Sequence, residues 1–173
     1  MQFYEEVLSV IAKRMECRKA HLGQIAKTGY SFEEWFNWEA FLSCIDSELN
    51  ASPKPLYSKY NLALNQKAGD LLVENESRTI LIEIGIVHDW TGDKWIEKLE
   101  GDREKLLNAK KNASDTTDLI QFLVLLSSNN NFMEDPKWFT WLDRLSFWKN
   151  DTSYSSDFLL SPNGKMVLKA WRV

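Results

Sequence analysis

A chain of 173 residues, 44% hydrophobic and 27% charged, has the length and usage of one globular domain, which excludes wholesale disorder. A net charge of −4 argues against a protein that coats nucleic acid indiscriminately, since such binding is driven by phosphate neutralisation. No apolar run approaches the roughly 20 residues of a membrane helix, so no membrane partner is expected.

The opening MQFYEEVLSVIAKR is acidic before it is apolar, unlike a secretory leader. Its apolar residues Phe3, Val7, Val10 and Ile11 recur at helical spacing and predict a first helix over 3–15. The basic cluster Lys13, Arg14, Arg18, Lys19 follows. Ser31 with Glu34 has the form of a capping box and predicts a second helix from Phe32 to Glu48, with Trp35, Trp38, Leu42 and Ile45 as its buried stripe. Asn50 to Pro55 reads as a turn-rich stop. Cys17 and Cys44, without CxxC spacing, read as reduced core thiols of a cytoplasmic protein.

The centre changes period. Leu56–Leu64 predicts a strand, Asp70–Glu74 a second, and Thr79–Val87 (TILIEIGIV) a third that is buried on both faces. Thr91–Asn108 predicts a helix with Trp95, Leu99 and Leu106 on one face. Asp102 shares that face, with Lys98 and Lys105 as ion-pair partners within one turn. Leu119–Leu126 is another buried strand. Asp135 and Pro136 start a helix over Lys137–Lys149, whose Trp138, Trp141, Leu142, Leu145 and Trp148 form either a core stripe or an aromatic contact surface. Pro162-Asn163-Gly164 marks a closing β-hairpin.

The fold class expected is therefore α/β, a single domain over 1–173 with a mixed central sheet flanked by helices. Residues 31–128 would form its core, 1–30 an N-terminal helix, and 129–173 a C-terminal helix and β-hairpin. Acid is concentrated in the middle: residues 31–134 carry −8, between ends of +2 each. That distribution suits a metal site as well as an acidic ligand mimic.

Chemistry concentrates between Gly69 and Lys105. Glu83 lies within ILIEIGIV, where a carboxylate is costly unless paired or metal-bound. Asp70 opens the preceding strand, so antiparallel pairing brings the two acids within reach of one divalent cation. The main-chain carbonyl of Ile84 is a plausible third oxygen ligand for Mg²⁺ or Mn²⁺. Asp70 also reads as a turn residue after Gly69, and Glu83 as an ion-paired strand residue. His88, at the end of the third strand, reads as either a metal neighbour or a local hydrogen-bonding residue. No G-x-S-x-G, phosphate-loop or dinucleotide fingerprint is present.

Asp70 with Glu83-Ile84-Gly85 resembles the PD-(D/E)xK nuclease superfamily over roughly Ser31 to Ser128. The resemblance implies a restriction-endonuclease-like α-β-β-β-α-β core and metal-dependent hydrolysis of phosphodiester bonds in nucleic acid. It implies Asp70 and Glu83 as metal ligands and Glu39 on the second helix as an auxiliary carboxylate. Glu39 reads equally as an ordinary helix glutamate. Gly85 stands where the motif has lysine, so the resemblance requires a lysine from elsewhere, Lys98 first, then Lys94 or Lys67, with Gly85 leaving room for it. The alternative is a catalytically inactive nuclease-like fold that binds a basic protein, as an immunity or antitoxin-type inhibitor would. An accessory subunit of a larger nucleic-acid machine is a third reading.

Overall fold

The structure, a computed structural model, describes residues 1–53 and 69–173. In chain order they form helices α1 (Phe3–Cys17), α2 (Lys19–Ile25) and α3 (Glu33–Asp46), then strands β1 (Asn50–Pro53), β2 (Leu71–Glu74) and β3 (Thr79–His88). Helix α4 (Lys94–Lys110) leads to β4 (Thr117–Ser127), a 3₁₀ turn (Phe132–Glu134), α5 (Pro136–Leu142), β5 (Tyr154–Leu159) and β6 (Lys165–Arg172). The predicted strand Leu56–Leu64, and Lys67, lie outside the described residues.

Strands β3 and β4 are apolar on both sides, a pattern stable only where both faces of a sheet are covered. They pair in parallel from Thr79 with Thr117 to His88 with Leu126. Parallel neighbours need a long crossover, and α4 supplies it. β1 and β2 extend the sheet antiparallel beyond β3, and β6 and β5 do so beyond β4, giving the order β1-β2-β3-β4-β6-β5. The protein is thus α/β with a mixed sheet and helices on both faces.

Alternation divides the core. Ile80, Ile82, Ile84 and Ile86, with Ile120, Phe122 and Val124, pack on Val7, Leu8 and Ile11 of α1 and on Phe36, Ala40 and Cys44 of α3. The intervening positions face the other way. Leu81 and Leu119 meet Leu106 and Ala109 of α4. Val87, Leu123 and Leu125 meet Leu99 and the aromatic group Phe132, Trp138, Phe147 and Trp171.

Several expectations need correction. The second helix buries Phe36, Ala40, Ser43 and Cys44, while Trp38, Leu42 and Ile45 of the expected stripe are exposed. The helix is apolar on two sides, and the small residues Ala40, Ser43 and Cys44 are the side that fits closely over the Ile80–Ile86 face. The Ser31 capping box does not form, because Phe32 occupies the N-cap without a side-chain cap. Cys17 is exposed. Asn50–Pro53 is an edge strand and not a turn; a proline is tolerated at an edge, where a strand needs no donor on its outer side. The helix expected over Lys137–Lys149 ends at Leu142, and beyond it the Glu100 carboxylate accepts both the Ser146 N–H (2.5 Å) and its hydroxyl (2.7 Å). The C-terminal hairpin forms, and its β6 completes the central sheet beside β4. No helix among the described residues is long and apolar enough to cross a membrane.

Asp135 caps α5 as its sequence position suggests, accepting from the Lys137 N–H at 2.8 Å ahead of Pro136. Asp135→Ala is expected to lower stability by about 1 kcal/mol, read as a reduced urea midpoint with an unchanged denaturant slope.

Candidate functional site

The site grows from the way β2 joins β3. The β2–β3 ladder ends with Leu71 paired to Ile82, and Gly69 and Asp70 lie just before it, next to Ile82, Glu83 and Ile84. Gly69, at φ +82°, takes the left-handed conformation that glycine adopts without steric cost. The Asp70 N–H donates to the Ile82 carbonyl at 2.7 Å. The Ile84 N–H donates to Asp70 Oδ2 at 2.9 Å, and the Gly69 N–H donates to Glu83 Oε2. Each carboxylate is therefore held by a backbone donor of the opposite strand. Glu83 is only 3% exposed, and an ionised group at that depth needs such donors or a counter-charge.

One counter-charge comes from α4, which runs back along β3. Leu99 lies against Gly85, and two turns on Leu106 lies against Leu81. Between them the helix presents Asp102, buried, and Lys105, whose Nζ donates to Asp102 Oδ1 at 2.6 Å. The hydrogen bond to Asp102 raises the Lys105 pKa above its ordinary value. Burial opposes the rise, and the charges of Asp102, Glu83 and Asp70 add to it. Among the described residues, Lys105 is the lysine on which both acids act.

The other candidates lie apart. Lys98 Nζ reaches across to Glu33 Oε2 of α3 at 2.5 Å and sits 4.2 Å from the Trp95 ring centroid. Lys94 is exposed at the start of α4. Glu39 belongs to α3, on the opposite face of the sheet from Glu83, and is taken by Arg14 (2.6 Å) and Arg18 (3.4 Å) of the N-terminal segment. Gly85 leaves no room for a lysine: a Cβ there would stand 2.3 Å from Leu99 Cδ2. His88 serves locally, its Nδ1 accepting from the Trp90 N–H at 3.2 Å, and burial lowers its pKa against the raising charge of Asp89.

Gln121 escaped the sequence reading. It stands beside Glu83 in the parallel register, is 0% exposed, and among the described residues neither its Oε1 nor its Nε2 has a hydrogen-bond partner. Leaving a buried amide atom unsatisfied costs about 1–3 kcal/mol. The signal was present as a lone polar residue in LIQFLVLL.

Asp70, Glu83 and the Ile84 carbonyl are hard oxygen donors of the kind Mg²⁺ or Mn²⁺ takes, and Mg²⁺ is commonly bound through one or two carboxylates with water and phosphate completing the shell. Ile84 donates its N–H toward β2, and a strand residue's N–H and C=O point to the same side, so its carbonyl faces the acids' edge. Among the described residues no group of three or more His, Cys, Asp or Glu surrounds a common metal position. The donor set fits a two-carboxylate site and not an all-protein cage. Compared with known protein families, curated proteins and solved structures, the chain matches none.

Gly85→Ala is expected to destabilise by about 1–3 kcal/mol through overpacking on Leu99, measured by urea unfolding. A second outcome concerns Glu39. Burial works to raise its carboxyl, and the Arg14 hydrogen bond with the Arg14 and Arg18 charges outweighs it, so its pKa falls below the ordinary 4.5. A lowered native pKa gives stability that is present above that ordinary value and lost as pH falls through the native one. Glu39→Gln should therefore be clearly less stable than wild type at neutral pH, by about 1.5–3 kcal/mol. The difference should shrink in acid unfolding series below the ordinary value.

Proposed function

We propose that the protein is a metal-dependent nuclease with a restriction-endonuclease-like core, hydrolysing phosphodiester bonds in nucleic acid. The observation that carries this reading is the tying of Asp70, just before β2, to the Glu83–Ile84 stretch of β3 through backbone donors, with Lys105 of the crossover helix bearing on both acids. The run α3-β1-β2-β3-α4-β4, antiparallel through β3 and parallel into β4, supports it. That order is the α-β-β-β-α-β succession that the motif resemblance implies.

Asp70, Glu83 and the Ile84 carbonyl would hold Mg²⁺ or Mn²⁺, sharing the carboxylates with their backbone donors. The bound ion would polarise the scissile phosphate and lower the pKa of an attacking water. The chain's own residues do the rest. A raised pKa keeps Lys105 protonated, so its part is to stabilise negative charge developing on the phosphate and leaving oxygen, not to accept the water's proton. Asp102 holds the ammonium in place from one turn earlier. Lys105 replaces Lys98 as the lysine of the site, and Glu39 is left with a structural role.

Lys105→Ala is expected to lower cleavage of nucleic acid in Mn²⁺ by about 100-fold or more, the usual effect of losing one donor to developing charge. Lys98→Ala should retain activity, Glu83→Gln should abolish it, and chelation of the metal should do the same. Equal activity of wild type and Lys105→Ala would remove Lys105 from the site.

A second reading, a nuclease-like fold that binds a basic protein without cutting nucleic acid, is favoured by two observations. Leu99 fills the space of the motif lysine, and Trp38, Leu42 and Ile45 form an exposed row on α3. Absence of cleavage by the wild type on both DNA and RNA, single- and double-stranded, would select this reading. Its mark would be a protein complex that weakens with salt.

A further inference from the structure

The N-terminal helices carry a feature that the metal site does not use. Residues 13–28 hold five cations, Lys13, Arg14, Arg18, Lys19 and Lys27, against one acid, Glu16, in a chain whose net charge is −4. The chain turns from α1 into α2 at Arg18. The inner side of α2 is fixed on the turn between β5 and β6. Leu22 and Gly23 are buried, a Cβ at Gly23 would collide with the Ser161 carbonyl, and the Ser161 N–H donates to the Lys19 carbonyl at 3.3 Å. Arg18, His21, Gln24 and Ile25, three and four residues apart and so on one side of the helix, line a groove of about 430 Å³ completed by Trp35 and Glu39 of α3.

The groove joins an aromatic plane to positive charge. Trp35 is half-buried, packed against the core and lining the groove, and Trp38, one turn further along α3, is 50% exposed. Glu39 is the acid in the lining, and Arg14 and Arg18 offset its charge. Arg18 contacts that carboxylate only at 3.4 Å. Lys13, Lys19 and Lys27 stand exposed on the same helices and the turn that follows them. Indole planes flanked by cations suit a polymer that alternates aromatic bases with phosphates. An acidic peptide would meet the charge and leave the indoles unused.

We propose that this groove binds single-stranded nucleic acid. A base stacks on Trp35, adjoining phosphates pair with Arg18 and the exposed lysines, and Gln24 offers its amide to base or sugar. The surface lies on the opposite face of the sheet from Glu83, since α1 and α3 cover the Ile82–Ile84 face and α4 the other. It takes its purpose, a second hold on the substrate, from the nuclease reading, and its contacts need no metal.

The test titrates the full chain, in chelator, into a labelled oligothymidylate of about 12 nucleotides, with binding read by fluorescence anisotropy. Wild type should bind, and raising salt from about 50 to 200 mM should weaken binding roughly 20- to 50-fold, as three or four phosphate contacts require. Gln24→Glu, an exposed change that puts negative charge in the groove, and Trp35→Leu should each weaken it by about tenfold. Asn150→Asp, the same change of charge at an exposed position outside the groove, should leave it alone. The proposal is overturned if wild type does not bind, if Gln24→Glu binds as wild type does, or if Asn150→Asp loses as much. Equal competition by polyglutamate would reduce the groove to a general anion surface, and equal competition by thymidine monophosphate would make it a mononucleotide pocket; either result overturns the strand. If Trp35→Leu fails to fold, Gln24→Glu decides. Strand binding without cleavage in Mn²⁺ would remove the nuclease reading and leave this groove standing, whereas cleavage without such binding would remove the groove alone.

Discussion

The parallel ladder between β3 and β4 is the constraint on which the rest of the protein depends. Two strands apolar on both sides must be covered above and below, and their parallel sense forces the chain to cross one face before returning. Helix α4 makes that crossing, while α1 and α3 cover the face bearing Ile80, Ile82, Ile84 and Ile86. Because α4 returns along β3, its residues meet that strand in reverse order, Leu99 at Gly85 and Leu106 near Leu81. Asp102 and Lys105 arrive at the level of Glu83 as a geometrical consequence. The site is therefore a product of the crossover itself.

The acids set into the fold differ in the partners that hold them. Glu39 is clamped by Arg14 and Arg18, and Asp118 lies between Arg172 at 2.7 Å and Arg78 at 3.7 Å. Such pairs balance a desolvation cost with nearby opposite charge and leave the carboxylates committed to the fold. Asp70 and Glu83 also take backbone N–H groups, from Ile84 and Gly69 respectively, and Lys105, bonded to Asp102, adds its charge. Backbone donors fix the position of a carboxylate.

The elements of the sheet were legible because their patterns were extreme. TILIEIGIV and LIQFLVLL admit no solvated face, and Asp135-Pro136 and Pro162-Asn163-Gly164 carry their local conformations with them. α3 was misread because periodicity reports that a helix is amphipathic but does not say which of two apolar sides is inward. Trp35-Trp38-Leu42-Ile45 outweighs Phe36-Ala40-Cys44 in hydrophobicity, yet close approach to the sheet favours the side with smaller residues. Edge strand β1 was hidden for a related reason. Its NASP has little strand character of its own and is held by pairing with β2.

By itself the sequence determined the α/β class, the two central strands and the crossover helix, since each follows from local periodicity and short-range connection. Tertiary structure alone decided which lysine of α4 bears on Asp70 and Glu83. Lys98 and Lys105 are seven residues apart, two turns along one side of the same helix, and nothing local separates them. The choice depends on where α4 comes to rest along β3, which the contact of Leu99 with Gly85 sets. The same contact leaves a Cβ at position 85 no space beside Leu99, so one packing event both closes that position and brings Lys105 to the level of Glu83.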